Sequence, residues 1–191
     1  MDSQKLGARF DREPFRCDEI DTKFLMSLHP TIFADSESGP EVWIRVEGRG
    51  SFQNSPALLD FSKKLIEEGR RQFVVDLRNC PAMDSTFMGT LAGLAIRLRD
   101  TCAGELWVVN RNDRNAELLA GLGLDPLFSH RPLSAAQPAV CKEAIYYPAD
   151  KNATREVMHE AHVACITVDP RNADKFKDVI EHLKASAAGT K

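Results

Sequence analysis

The chain has 191 residues, 43% of them hydrophobic, and its 25 basic and 28 acidic side chains leave a net charge of −3. That is length for one domain with appendages and apolar content for a core, with no clustered basic face to hold nucleic acid. No apolar run approaches the roughly 20 residues of a membrane helix, and the charged N-terminus lacks the apolar core of a signal peptide.

Residues 1–28 are charged and without a clean period, and are read as an N-terminal tail with no assigned function; Met26 is an alternative start. Residues 31–34 are expected to form a first edge strand, and DSESGP (residues 35–40) a turn. VWIRV alternates apolar and polar side chains, the pattern of a strand with one covered face. GRGSFQNSP leads into a helix, with Ser55 as N-cap, Pro56 at the first position and Leu58, Phe61, Leu65 and Ile66 as its buried stripe. Gly69 is placed to end that helix in a left-handed conformation.

FVVDL, from Phe73, is a short β-branched run that reads as a buried central strand. After the loop RNCPAMD, the next stretch carries Phe87, Leu91, Leu94 and Leu98 on one helical face, with Ser85 where an N-cap belongs and Asp84 just before it. A hydroxyl and a carboxylate thus stand where a buried strand hands over to a helix, a place where open α/β sheets keep working groups. Gly89 and Gly93 lie four apart on this helix; each costs about 1 kcal/mol against Ala, so close approach to the sheet is expected, with a flat partner surface as the alternative.

GELWVV is a further strand, Asn112 or Asp113 caps a short helix with Leu118 and Leu119, and residues 127–133 are expected to add a final edge strand, Pro132 favouring an edge. The strand–helix alternation indicates parallel neighbours with covering helices. SAAQPAVCKEAIYYPADKN reads as a linker with one helical turn. Two amphipathic helices follow. The first carries Val157, Ala161, Ala164, Cys165 and Val168; the second has Asp169 as N-cap, Pro170 at the first position and Phe176, Val179, Ile180 and Leu183 as its stripe. So short a pair must dock on the sheet domain, a second copy or another protein. The boundaries drawn are a tail at 1–28, a sheet domain at 29–135, and a linker with helical extension at 136–191.

MDSTFMG (residues 83–89) closely resembles the MDSSGLG signature of anti-sigma factor antagonists, the STAS domains. VWIRVEGRGSF (residues 42–52), GELWVVN (104–110) and LLAGLGLDPLF (118–128) resemble that family's second strand and loop, its strand after the signature helix, and its late helix and turn. The resemblance covers residues 31–133. It implies an α/β fold, a STAS-type mixed sheet of four to five strands covered by helices, here with a C-terminal two-helix extension. It also implies a bacterial partner-switching protein that binds an anti-sigma factor, a serine kinase of the histidine-kinase-like ATPase type, and is released by phosphorylation. A serine phosphatase resets the switch. The phosphorylated serine falls on Ser85; Thr86 replaces the second serine of the signature and is the alternative acceptor. Phe87 replaces the signature's first glycine and is read as core, with the partner surface as alternative. Arg49 stands where family members often carry an acidic residue.

Partner binding is expected to centre on Asp84, Ser85, Thr86 and Met88, helped by Arg49, Ser51 and Asn54 in the earlier loop. The reason is topological: parallel neighbours send both loops out of one sheet edge. A scaffold for oligomeric assembly through the C-terminal helices, and a small-ligand or nucleotide sensor, are the rival functions. No GxSxG, Walker A or GxGxxG sequence is present and no base–nucleophile pair can be named, so no enzyme, cofactor or metal is expected. His159 and His162 are read as part of a solvated helix face, HEAH being one residue short of HExxH. Asp76 is expected to fix its loop. The five cysteines, Cys17, Cys80, Cys102, Cys141 and Cys165, are scattered without a CxxC pair. They are read as reduced thiols of a cytoplasmic protein.

Overall fold

A computed structural model describes residues 31–37, 39–129, 141, 143–145 and 151–188. The tail at 1–28 and most of the stretch read as a linker lie outside the described residues. The strands are β1 (Thr31–Asp35), β2 (Glu41–Glu47), β3 (Gln72–Asp76), β4 (Glu105–Val109) and β5 (Glu143–Ile145). They form one mixed sheet in the order β4-β3-β2-β1-β5. β2, β3 and β4 run parallel, as the alternation requires, while β1 is antiparallel to both β2 and β5. The expected STAS-type α/β sheet is therefore present with five strands.

One expectation at the sheet edges is corrected. β1 lies between β2 and β5 and is not an edge. Of residues 127–133, Leu127 ends a 3-10 turn, Asp125–Leu127, that contains Pro126, and Ser129 N–H donates to the Leu106 carbonyl of β4 over 2.7 Å; residues 130–133 lie outside the described residues. β5, inside the stretch read as a linker, pairs with β1 at the edge of the sheet away from β4.

Helices α1 (Ser55–Glu67), α2 (Ser85–Cys102), α3 (Asp113–Gly121), α4 (Lys151–Val168) and α5 (Asn172–Ala188) complete the fold. Residues that the strands direct to one face, Val42, Ile44, Val46, Phe73 and Val75, meet Leu58 and Leu65 of α1 and Phe87, Leu91, Leu94 and Leu98 of α2 in one core. Phe87 is fully buried, the inward of the two readings. α1 ends as expected, with Gly69 at φ 91°, where a side chain would be strained. Three helix starts differ by one or two residues. Asn54, not Ser55, precedes α1; Asp84, not Ser85, caps α2; and α5 begins at Asn172, the Asp169 carboxylate instead accepting from Arg171 N–H in the preceding turn.

The C-terminal helices dock on the sheet domain. Their stripes bury Val157, Ala161, Ala164, Cys165, Phe176 and Leu183, while Val179 is exposed rather than part of the stripe. α4 packs along α2. At 3.6 residues per turn, Ser85, Gly89 and Gly93 recur on the side of α2 opposite Phe87, Leu91, Leu94 and Leu98. The sheet takes one side and α4 the other. A Cβ at Gly89 would stand 2.2 Å from the Ala161 carbonyl oxygen, so only glycine admits this approach. The glycine is thus explained by packing, but against α4 rather than against the sheet.

Candidate functional site

The site is built where the loops after β2 and β3 leave the same sheet edge. They are stitched together by backbone bonds: Gly50 N–H donates to the Ala82 carbonyl over 3.1 Å, and Asp84 N–H to the Gly50 carbonyl over 2.9 Å. The Asp84 carboxylate completes the joint. One oxygen accepts from Phe87 N–H at 2.9 Å, capping α2, and the other from Phe52 N–H at 2.9 Å in the neighbouring loop. Two charge-assisted bonds from one side chain fix both loops around one helix N-terminus. Below them, buried Asp76 accepts from Arg78 N–H, Asn110 Nδ2 and Arg45 Nε, which holds the loop after β3 as expected.

Ser85 is the first residue of α2, half-buried, and it meets a residue the sequence reading placed elsewhere. Its Oγ lies 3.0 Å from His162 Nε2 of α4. His162 is only 2% exposed, which corrects its placement on a solvated face. Its Nδ1 is 2.7 Å from the Met158 carbonyl, which can only accept, so Nδ1 carries the proton and Nε2 accepts from the Ser85 hydroxyl. The ring packs edge-on against Phe176 of α5 at 4.7 Å. A base–nucleophile pairing therefore exists, which the sequence did not reveal. Such a pairing polarises a serine hydroxyl toward attack on an electrophile.

The remaining expected residues divide into buried and exposed. Thr86 and Met88 are 3% and 4% exposed, buried rather than on open surface. Ser51 and Asn54 are buried and shape their loop: Ser51 N–H donates to Asn54 Oδ1, and Asn54 Nδ2 to the Arg49 carbonyl. Arg49 is exposed beside them. Phe52, missed in the sequence, is exposed at 42% on the loop that Asp84 holds. Its position between polar loop residues was the available signal. A cleft of about 460 Å³ opens at Ser85, lined by Met88, Arg114, Leu118, Lys175 and Phe176.

The geometry is that of a sheet domain with a serine at the start of the helix after its central strand, and the family model for the STAS domain matches residues 34–136. The chain belongs to the STAS domain family. Comparison with curated proteins gives no match. One similar solved structure is a candidate anti-sigma factor antagonist from Thermotoga maritima, 13% identical, with a TM-score of 0.47 over 51% of this chain and 82% of that one. The STAS match ends before α4 begins, so His162 comes to the signature serine from outside the matched residues.

Burial lowers the pKa of His162, and the Met158 hydrogen bond and the Asp84 charge only partly offset this; His159 adds to the lowering. The folded protein thus holds fewer protons at this ring than the unfolded chain. Its contribution is full above the unfolded pKa of about 6.5 and is lost as pH falls from there toward the lower folded value. Urea melts at pH 5.5 and 7.5 should show wild type losing more stability on acidification than His162→Gln. Equal losses would place the sensitivity elsewhere.

Proposed function

We propose that this STAS domain is an anti-sigma factor antagonist-like signalling module without catalytic activity of its own. It binds an anti-sigma factor, a serine kinase of the histidine-kinase-like ATPase type, through the surface around Ser85. Phosphorylation of Ser85 ends the binding, and a serine phosphatase restores it. The observation that carries the reading is the pair of stitched loops around the α2 N-terminus, with Ser85 as its first residue.

The chemistry is coherent. A phosphoserine brings about −1.5 to −2 charges at pH 7. At a helix N-terminus it meets unpaired N–H groups and the positive end of the helix dipole, worth roughly 0.3–1 kcal/mol. The domain tolerates it. A partner packed over the site must instead desolvate a dianion next to Asp84, at a cost of several kcal/mol. Arg49 and Phe52, both exposed on the adjoining loop, extend the surface.

Incubation of the full chain with a purified kinase of this type and ATP, followed by peptide mass spectrometry, tests the acceptor. Phosphate on Ser85, lost in Ser85→Ala and retained in Thr86→Val, is the expected result. Phosphate on Thr86 alone, or on neither, would end the proposal for Ser85.

A further inference from the structure

We infer that α4 and α5 form a lid, an intramolecular occupant of the very surface through which the domain takes its partner; the inference rests on the reading of Ser85 given above. The lid covers the side of α2 that faces away from the sheet. There the signature helix offers Ser85, Gly89 and Gly93 in place of large apolar side chains. A Cβ at Gly89 would meet the Ala161 carbonyl at 2.2 Å, and one at Gly93 would stand 3.7 Å from Ala164 Cβ, so the two helices approach to backbone contact. Buried Met88 lines one cleft with Ser85 and with Lys175 and Phe176 of the lid.

Polar fastenings join the lid to the domain beside its apolar packing. His162 Nε2 takes the Ser85 hydroxyl proton in a hydrogen bond. Asn172, fully buried at the start of α5, donates through Nδ2 to the Leu122 carbonyl at 2.9 Å and to the Cys165 carbonyl at 3.0 Å. Lys175 Nζ donates to the Gly121 carbonyl at 2.9 Å. Ala164, Cys165 and Phe176 of the lid join the same buried cluster as Phe87, Leu91, Leu94 and Leu98, so apolar burial seats the lid as well. Closure therefore occupies the acceptor hydroxyl and the partner surface together. The side of α2 under the lid is free only in the fraction of molecules whose lid is open, and the apparent affinity of a partner that needs it falls by that fraction.

Two native thiols report on this directly. Cys165 is 0% exposed in the lid joint and Cys80 is 1% exposed within the sheet domain. Burial pushes the Cys165 thiol up to about 11 and raises Cys80 as well, so neither reacts while covered. The full chain is treated with N-ethylmaleimide and each cysteine followed by peptide mass spectrometry. In wild type, Cys165 should label at least tenfold faster than Cys80, because the lid opens without unfolding of the domain. Gly89→Ala adds a Cβ against the Ala161 backbone while favouring the helix that carries it. It should raise Cys165 labelling a further tenfold or more and leave Cys80 unchanged. Asn172→Ala, made on the lid itself, should do the same. Cys165 and Cys80 labelling at one common rate in wild type, and rising together in both variants, would make the helices an inseparable part of the core and overturn the lid. No kinase enters this measurement, so its failure is distinct from failure of the proposed function.

Discussion

A chain ended after Asp150 should keep its sheet but melt about 10 °C lower and bind an apolar dye that the full chain does not. Removing α4 and α5 strips the cover from Gly89 and Gly93, which face Ala161 and Ala164, and from Met88 beside Phe176. In the full chain the departing helices bury Phe176, Leu183 and Val157, side chains worth roughly 1.5–3 kcal/mol each on burial. Much of that gain is consumed in ordering the two helices themselves. A remainder of about 3–4 kcal/mol shifts the melting of a domain this size by about 10 °C, at roughly 2–4 °C per kcal/mol. The uncovered patch should also promote self-association. Thermal melts, dye fluorescence and light scattering check all three. An unchanged melting temperature with no dye binding would mean that the helices contribute nothing to the domain.

Ser85→Asp should lower affinity for the kinase at least 100-fold while leaving the chain folded. Ser85 is the first residue of α2, where a carboxylate faces the positive end of the helix dipole. The cap itself is Asp84 and stays in place. The new carboxylate replaces a hydroxyl that donated to His162 Nε2, so the ring must take up a proton to keep the pair. Against a partner, the same charge must be desolvated beside Asp84. A penalty of about 2.8 kcal/mol corresponds to 100-fold, since each 1.4 kcal/mol is tenfold.

The parts of the fold with a clear period were legible in the sequence. FVVDL reads as a buried strand and Phe87, Leu91, Leu94 and Leu98 as the core side of a helix, and both stand so in the structure. β5 was not legible because three residues carry no period, and its pairing with β1 is set by contacts more than a hundred residues away in the chain. The one-residue shift of the α2 cap had a similar cause. Asp84 and Ser85 are both good capping residues, and the decision falls to the second carboxylate oxygen, which reaches Phe52 in another loop. His162 flanks the stripe of Ala161 and Cys165, so a sign of burial was present, but its partner lies 77 residues away. The two glycines announced a close approach without naming the helix that makes it. The residues named from the sequence lie on two loops and a helix start that leave one sheet edge, but the contacts of their side chains with α4 carried no local signal.

The most direct test of the central claim is a calorimetric titration of a purified histidine-kinase-like ATPase partner against the full chain, first unmodified and then phosphorylated at Ser85. The account predicts binding to the unmodified chain and a loss of at least 100-fold on phosphorylation, matched by Ser85→Asp. Equal affinity for the two forms would contradict it.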